Sequence, residues 1–286
     1  MNISKKKQKE MHAKRTRTVL WYVFVTAGAI IMLLPFAWMI STSLKMENDI
    51  FTMPIKWLPS KITFDNYVEA LKVVPIFKCM LNTLIVAIPK ILGEVFVSAL
   101  VAFGFARFNF KGKNVLFMIM LATMMLPYEV TMIPTFMGWS ALGFTDSYVP
   151  LILPAFCGSA SFIFFLKMYF ETVPKDYEEA AWLDGAKNFK VFYTVFIPLA
   201  KPALVTIALW SFMGTWNDLL GQLIYIDSSE KYTIQLALAS FSSMTGETLW
   251  GPLMAASFMA LIPVIVLLLY AQKYFMEGVK LGGIKG

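Results

Sequence analysis

Six long apolar runs constrain this 286-residue chain more than any other feature of its sequence. A helix needs about 20 apolar residues to cross a hydrocarbon core of about 30 Å. Strand-length alternation is absent, so the runs predict membrane-spanning helices rather than the strands of a barrel. The runs are Val19–Leu44, Cys79–Ala106, a stretch from Asn114 past Pro127, Ser147–Leu166, Pro202–Ile226 and Thr248–Gln272. The predicted fold class is all-α integral membrane, with six transmembrane helices.

The first run, Val19–Leu44, carries no charge and is too long for a cleaved signal peptide, so it is predicted to remain as a span. Hydrophobic residues make up 58% of the chain and charged residues only 15%, far from the composition of a soluble domain. The predicted organisation is a basic tail at 1–18, a first helix at 19–44, an external loop at 45–78, a five-helix core at 79–276 containing a charged loop at 171–201, and a tail at 277–286.

Basic residues set the predicted orientation, because segments rich in lysine and arginine are retained in the cytoplasm during insertion. Seven basic residues precede Val19 against one acid, and the turn after the second run adds Arg107 and two lysines. The connection at 138–146 has no basic residue, and the connection between the fifth and sixth runs has only Lys231. Both termini are therefore predicted to be cytoplasmic.

The residue inventory argues against catalytic chemistry on this chain. The single histidine, His12, lies in the basic tail, which removes histidine metal clusters and serine or cysteine triads from consideration. No G-x-x-x-x-G-K-[ST] loop occurs, so any nucleotide must bind another chain. The net charge of +7 lies at membrane flanks, which argues against nucleic acid and favours contact with anionic membrane lipid. The chain is predicted to be neither an enzyme nor a metal protein.

A segment at 167–201 places ten charged residues between apolar runs and cannot lie in lipid. Pro174, followed by three acids within five residues, predicts a helix start, because acids suit the positive end of the helix dipole. Gly185 predicts the end of this helix. A second helix at 187–196 is predicted to return toward the membrane before Pro198. On these grounds the hairpin is either a solvated connector or a docking surface.

The letters of this hairpin resemble the EAA loop of ABC importer permeases, the membrane components of binding-protein-dependent transport systems. Glu179-Ala180-Ala181, Asp184-Gly185-Ala186, Ile197-Pro198 and Pro202 match the pattern E-A-A…D-G-A…P…P. Softer matches to the maltose-type, MalG-like carbohydrate branch cover nearly all of the chain: Ser41-Thr42-Ser43-Leu44-Lys45, Trp57-Leu58-Pro59, Asp65-Asn66-Tyr67, Leu126-Pro127-Tyr128-Glu129-Val130, Ile133-Pro134, Trp216-Asn217 and Gly282-Gly283-Ile284-Lys285-Gly286. The resemblance implies the type I importer architecture with a cytoplasmic coupling helix.

The resemblance also implies a carbohydrate permease of a bacterial cytoplasmic (inner) membrane. Its implied partners are a homologous permease, two ATPase subunits and an external solute-binding protein, with ATP and Mg on the ATPase and no cofactor on this chain. The implied ATPase-coupling residues are Glu179, Ala180, Ala181, Asp184, Gly185, Ala186 and Pro198. The implied C-terminal ATPase contacts are Gly282, Gly283 and Lys285.

Two further sets of residues are candidates for contact with solute or with the binding protein. By position, the resemblance assigns a binding-protein contact to Ser243, Thr245, Gly246, Glu247 and Trp250, with a flexible connector as the alternative. Polar and aromatic residues inside the runs are candidates for a translocation path, with a structural role as the alternative: Glu94, Glu129, Trp216, Asn217 and Asp218. Lys90, one helical turn before Glu94, predicts a neutralising pair.

A proton- or ion-coupled secondary transporter is the competing function, with Glu94, Glu129 and Asp218 as intramembrane carriers. The sequence argues against it, because no inverted repeat is evident and the hairpin would have no purpose without an ATPase. A non-sugar solute such as glycerol phosphate is the alternative cargo within the ABC class. The residues do not identify the sugar.

Overall fold

A computed structural model of the chain describes residues 2–243 and 248–282, and this part of the chain is helical with no β-strand. Three short 3₁₀ or π segments, Leu153–Cys157, Phe192–Phe196 and Ser229–Lys231, interrupt the α-helices. The α-helices are α1 (Asn2–Ser43), α2 (Glu47–Ile50), α3 (Asp65–Val73), α4 (Ile76–Arg107), α5 (Lys113–Thr123), α6 (Tyr128–Ala141), α7 (Val149–Ile152), α8 (Ala160–Glu171), α9 (Asp176–Leu183), α10 (Asn188–Val191), α11 (Ile197–Leu199), α12 (Lys201–Trp216), α13 (Leu220–Tyr225), α14 (Ile234–Ser243) and α15 (Trp250–Gly282).

Four helical stretches among the described residues are long and apolar enough to cross a membrane: Lys14–Ser43, Ile76–Arg107, Val149–Glu171 and Trp250–Lys273. The number rises to six when two bent helix pairs each count as one span, in agreement with the six predicted runs. The pairs are α5 with α6, bent by 94°, and the Asn188–Leu199 segment with α12, bent by 80°. Helix α1 starts well before its apolar part, because the basic tail contains good helix formers.

Prolines account for both bends. Pro127 directly precedes α6, and a proline disfavours helical backbone in the residue before it, so the third run breaks there. The second bend carries Pro198 in α11 and Pro202 in the first turn of α12, where a missing backbone N–H costs little. The π segment Phe192–Phe196 precedes this bend. The fifth run also ends as a helix at Trp216, ten residues before the predicted boundary at Ile226.

The chain divides into two compact units. The first contains the described residues through Val73 together with Thr248–Met259. Its loop between α1 and α3 is ordered around Lys45, whose side chain is fully buried and whose Nζ donates to the Lys56 carbonyl at 2.6 Å. Burial lowers the pKa of Lys45, and the nearby Asp49 carboxylate opposes that shift. The ammonium also lies 4.0 Å from the centroid of the Trp38 ring, so a cation–π contact helps to retain the buried charge.

The second unit contains the remaining described residues and is built on α4. Small residues on α4 let α8 and the segment before it approach closely, as in other membrane helix pairs. Ala99 and Ala102 are fully buried, and a Cβ added to Gly93 would lie 2.9 Å from the Phe156 ring. At the end of α4, Phe103 packs on Phe196 with ring centroids 4.8 Å apart. This apolar cluster supports the charged hairpin that follows α8.

Candidate functional site

The charged hairpin begins with α9, which has Asp176, Glu178 and Glu179 in its first turn, where acids interact favourably with the helix dipole. Its end is fixed by a left-handed residue, because Gly185 has φ of +76°. The Ala186 N–H donates to the Ala181 carbonyl at 2.9 Å, and the Gly185 N–H donates to the Trp182 carbonyl at 2.9 Å. This pair of bonds is a Schellman motif. The tip is therefore a terminated, hydrogen-bonded turn that presents its side chains in a fixed arrangement.

The side chains at this tip face outward from the chain. Glu179, Ala180, Asp184 and Gly185 are exposed, and Leu183 is 89% exposed. The two other predicted alanines, at 181 and 186, are half-buried against the apolar cluster. Pro198 is exposed beyond the second helix of the hairpin. An exposed leucine beside a carboxylate, outside the membrane spans, is a chemistry suited to a protein partner.

A buried arginine holds the base of the hairpin, and sequence reasoning missed this contact. Arg107 Nη2 at the end of α4 donates to the carbonyls of Phe170 at 2.7 Å and Val173 at 2.5 Å. Its Nη1 lies 3.5 Å from Glu178 Oε1, and each side chain is 6% exposed. The guanidinium also lies 4.8 Å from the Phe196 ring centroid. One side chain thus connects α4, the end of α8, the first turn of α9 and the π segment.

We refer to these contacts of Arg107 as the arginine clasp. One usable signal for it was present in the sequence, the adjacent acids Glu178 and Glu179. Neighbouring residues on a helix point in different directions, so the structure buries the first against Arg107 and leaves the second exposed. In the sequence, Arg107 indicates only the orientation of the chain in the membrane. It lies 71 positions before Glu178, and helical spacing does not predict a contact at that separation.

The second unit contains a polar cavity of about 580 Å³. Its wall is formed by Lys90, Glu94, Tyr128, Thr135, Pro150, Leu151, Pro154, Ala155, Gly158, Ser159, Gly214, Asp218, Gly221 and Tyr225. Ser211 Oγ donates to Glu94 Oε2 at 2.5 Å, and the Gly221 N–H donates to Asp218 Oδ1 at 2.9 Å. Ser211 on α12 thus orients the Glu94 carboxylate, and the Gly221 backbone N–H orients the Asp218 carboxylate.

Only two of the five predicted path residues, Glu94 and Asp218, line this cavity. Glu129 is exposed in the first turn of α6 but is not part of the wall. Asn217 is exposed and bonds to the Met213 carbonyl. The aromatic platform expected from Trp216 is not in the wall, because this ring is 2% exposed and stacks on Phe212.

The ion pair predicted between Lys90 and Glu94 does not form in the described structure. The four ion pairs among described residues are Lys56–Asp49, Arg107–Glu178, Lys167–Glu171 and Lys231–Asp146. Glu94 bonds to Ser211 instead, and Lys90 remains in the cavity wall. Helical spacing placed the two residues near one another but did not reveal the serine on α12.

A polar cluster joins the loop after α6 to the loop after α13. Asp146 Oδ1 accepts from the Ser228 N–H at 3.0 Å, and Lys231 Nζ donates to Asp146 Oδ2 at 2.7 Å. Asp146 adopts φ of 50°, a conformation that aspartate tolerates. The Lys231 and Ser228 side chains hold the pKa of the Asp146 carboxyl well below its usual range.

We predict that Asp146→Asn loosens this cluster. Because the folded pKa is below the ordinary value of 3.8, the carboxylate's stabilisation is present above that pH and is lost as the pH falls through the folded pKa. At neutral pH, hydrogen exchange at the Asp227 and Ser228 amides is expected to become several-fold faster in the variant. Asp65→Asn, in the first unit, is the control. Unchanged exchange at both amides would contradict the prediction.

The remaining predicted contacts are only partly described. Trp250 begins α15, is 41% exposed and packs edge-on against Phe51, with centroids 6.1 Å apart. Ser243 ends α14 and Gly282 ends α15. The predicted residues Thr245, Gly246, Glu247, Gly283 and Lys285 lie outside the described residues. Within the described part of the chain, no group of three or more His, Cys, Asp or Glu side chains is suited to hold a metal ion.

The chain is similar in sequence to membrane components of known transport systems. The family described as "Binding-protein-dependent transport system inner membrane component" matches residues 94–280. The arabinooligosaccharides transport system permease protein AraQ of Bacillus subtilis is 33% identical over 92% of this chain and 94% of its own length. The trehalose/maltose transport system permease protein MalG of Thermococcus litoralis is 31% identical over 96% of this chain and 100% of its own length.

A solved structure also resembles this fold. It belongs to a bacterial ABC transporter involved in the import of the acidic polysaccharide alginate. Its matching chain superposes with a TM-score of 0.78 and 26% sequence identity, covering 92% of this chain and 98% of that one.

Proposed function

Because this chain belongs to the family of inner membrane components of binding-protein-dependent transport systems, we propose that it is the permease subunit of an ATP-driven importer of a sugar or oligosaccharide. It is a multi-pass membrane protein with the type I ABC importer permease fold. The proposed complex also contains a homologous permease, two ATPase subunits that carry ATP and Mg, and a solute-binding protein on the outer side. Both termini lie in the cytoplasm, where the basic tail contacts anionic lipid.

The exposed tip of the hairpin is the observation that carries this proposal. Glu179 offers a carboxylate to a basic partner, and Leu183 offers apolar surface, on a turn closed by Gly185. In the proposed mechanism the tip sits in a cleft of the ATPase. When the ATPase dimer closes on ATP, the hairpin moves with it as a rigid body, and the permease changes from inward-facing to outward-facing.

The arginine clasp couples the movement of the hairpin to the membrane helices. Arg107 joins the first turn of α9 to the ends of α4 and α8, and α4 carries Lys90 and Glu94 of the cavity wall. A rotation of α9 therefore displaces α4, which lines the path. We assign Glu94 and Asp218 to the translocation path. Glu129, Trp216 and Asn217 are not in the cavity wall and are not assigned to the path.

Two further contacts complete the proposal. Gly282, Gly283 and Lys285 contact the ATPase. On the outer side, Ser243, Thr245, Gly246, Glu247 and Trp250 meet the solute-binding protein. The names of the relatives support carbohydrate as the cargo class, since they include transporters for arabinooligosaccharides and for trehalose and maltose.

Affinity purification of the tagged chain from its native membrane tests this function. Wild type is expected to recover an ATPase and a second permease. Glu179→Lys is expected to lose the ATPase and keep the second permease, because a cation then faces a basic partner. Glu69→Lys, an exposed acid in the external loop, is the matched control. Recovery of this chain alone, with uptake intact, would contradict the proposal.

A further inference from the structure

We propose that the cavity bounded by α4, α6, α12 and α13 is a solute subsite on this chain, selective for a neutral, hydroxyl-rich solute over an anionic one. The proposal deepens the importer function above and rests on it. Its volume of about 580 Å³ falls within the range of about 300–1,000 Å³ that small-molecule sites occupy. A single saccharide unit of an extended chain, or a small sugar, fits that class of site.

Charge is the first observation that defines the ligand. The charged side chains in the wall are Lys90, Glu94 and Asp218, so the wall carries a net charge of −1 when all three are ionised. Recognition of a uronate or phosphate calls for converging cations, usually arginine or several lysines. This wall instead presents more carboxylate than ammonium. An anionic sugar would meet repulsion here, and a neutral sugar would not.

Unused hydrogen-bonding capacity is the second observation. Glu94 uses Oε2 to accept from Ser211, and no described residue bonds to its Oε1. Asp218 accepts the Gly221 N–H through Oδ1. Lys90 has no hydrogen-bond or ion-pair partner among the described residues. Sugar hydroxyls both donate and accept, so they satisfy carboxylates and an ammonium in one site.

Aromatic rings are the third observation. Tyr128 and Tyr225 both lie in the wall, and the Tyr225 ring packs beside Phe136 with centroids 5.9 Å apart. These rings offer an apolar face to the C–H face of a sugar, together with a hydroxyl each. They supply the platform that sequence reasoning assigned to Trp216. The sequence feature that could have predicted this platform is the presence of a tyrosine in each of the predicted third and fifth runs.

A single cysteine in the wall tests the proposal without knowledge of the natural solute. Ser159→Cys is placed in a Cys157→Ser background, and the full chain is kept in native membrane vesicles. Modification by a cationic methanethiosulfonate reagent is compared with modification by an anionic one. We expect the cationic reagent to react about tenfold faster relative to a control, Ser140→Cys, at an exposed position outside the wall.

Two charge variants give opposite shifts. Asp218→Asn is expected to reduce the preference for the cationic reagent, and Lys90→Met is expected to increase it. Maltotriose, arabinotriose or diacetylchitobiose at millimolar concentration is expected to slow modification of the wall cysteine, and trigalacturonate is not. Equal or faster modification by the anionic reagent, protection by trigalacturonate alone, or no protection by any neutral sugar would overturn the proposal.

The readout separates this proposal from the function on which it rests. Reagent preference and protection are measured on this chain without ATP. Failure of the wild-type chain to recover an ATPase in the purification experiment would therefore refute the importer function and leave the reagent preference unchanged. A wall that prefers the anionic reagent would refute the subsite and leave ATPase recovery unchanged.

Discussion

Arg107→Met, at the end of α4, is expected to lower the thermal stability of the chain substantially. The substitution leaves Glu178 as a buried carboxylate without its cation, and removing one partner of a buried pair costs about 3–5 kcal/mol. The carbonyls of Phe170 and Val173 lose their donor as well. Thermal denaturation of the purified chain in detergent measures the effect.

A second readout distinguishes the positioning role of Arg107 from its effect on stability alone. ATP hydrolysis stimulated by solute-loaded binding protein is expected to fall in the Arg107→Met complex, because α9 is no longer held to α4. Basal hydrolysis is expected to persist. Arg107→Lys, which keeps the charge and loses the fork of donors, is expected to be intermediate in both measurements.

Lys167→Met is the matched control for Arg107→Met. It also removes the cation of an ion pair, but the Lys167–Glu171 pair lies at a helix surface with the glutamate 41% exposed. Such pairs contribute less than about 1 kcal/mol. If Arg107→Met destabilised the chain no more than Lys167→Met, the arginine clasp would not hold the hairpin as described.

Leu183→Asp is expected to weaken binding of the ATPase about 30-fold while leaving the chain folded. At 89% exposure this leucine contributes little to folding. Burying a leucine in an interface stabilises it by about 1.5–3 kcal/mol, and a loss of about 2 kcal/mol weakens binding about 30-fold. Binding of the purified ATPase to the permease pair, measured at several concentrations, gives the change directly.

The same substitution elsewhere serves as its control. Leu142, at the end of α6, is 68% exposed and lies at the other predicted face of the membrane. Leu142→Asp is therefore expected to leave ATPase affinity unchanged. Equal affinity of wild type and Leu183→Asp would place the ATPase contact elsewhere on the chain. A denatured Leu183→Asp variant would contradict the assignment of this leucine to the surface.

Local patterns were enough to predict the helices and the hairpin. Apolar length predicted the spans, and proline and glycine predicted the ends of the charged helix, because these residues act through their own backbone. Gly185 ends α9 in a left-handed conformation, as predicted from glycine's tolerance of positive φ. The position of the break in the fifth run was harder, because Asn217 and Asp218 lie in a stretch that remains apolar overall.

Contacts between distant segments were beyond the sequence. Arg107 and Val173 are 66 positions apart, and Glu94 and Ser211 are 117 apart. Periodicity reports which residues share a helix face but not which helix lies opposite. Periodicity therefore predicted a pair between Glu94 and Lys90 and placed Trp216 in the translocation path. It indicated no contact for Arg107, which served only to predict the orientation of the chain. The polar cavity emerges only when α4 and α12 are packed together.

Solute uptake by proteoliposomes containing the co-purified complex tests the central claim most directly. Uptake of maltotriose, arabinotriose and diacetylchitobiose is measured with the binding protein on the outer side and ATP on the side of the ATPase. The account predicts uptake that requires ATP, is lost in Glu179→Lys and persists when the proton and ion gradients are collapsed. Uptake driven by a proton or ion gradient in vesicles without the ATPase would contradict it and identify a secondary transporter.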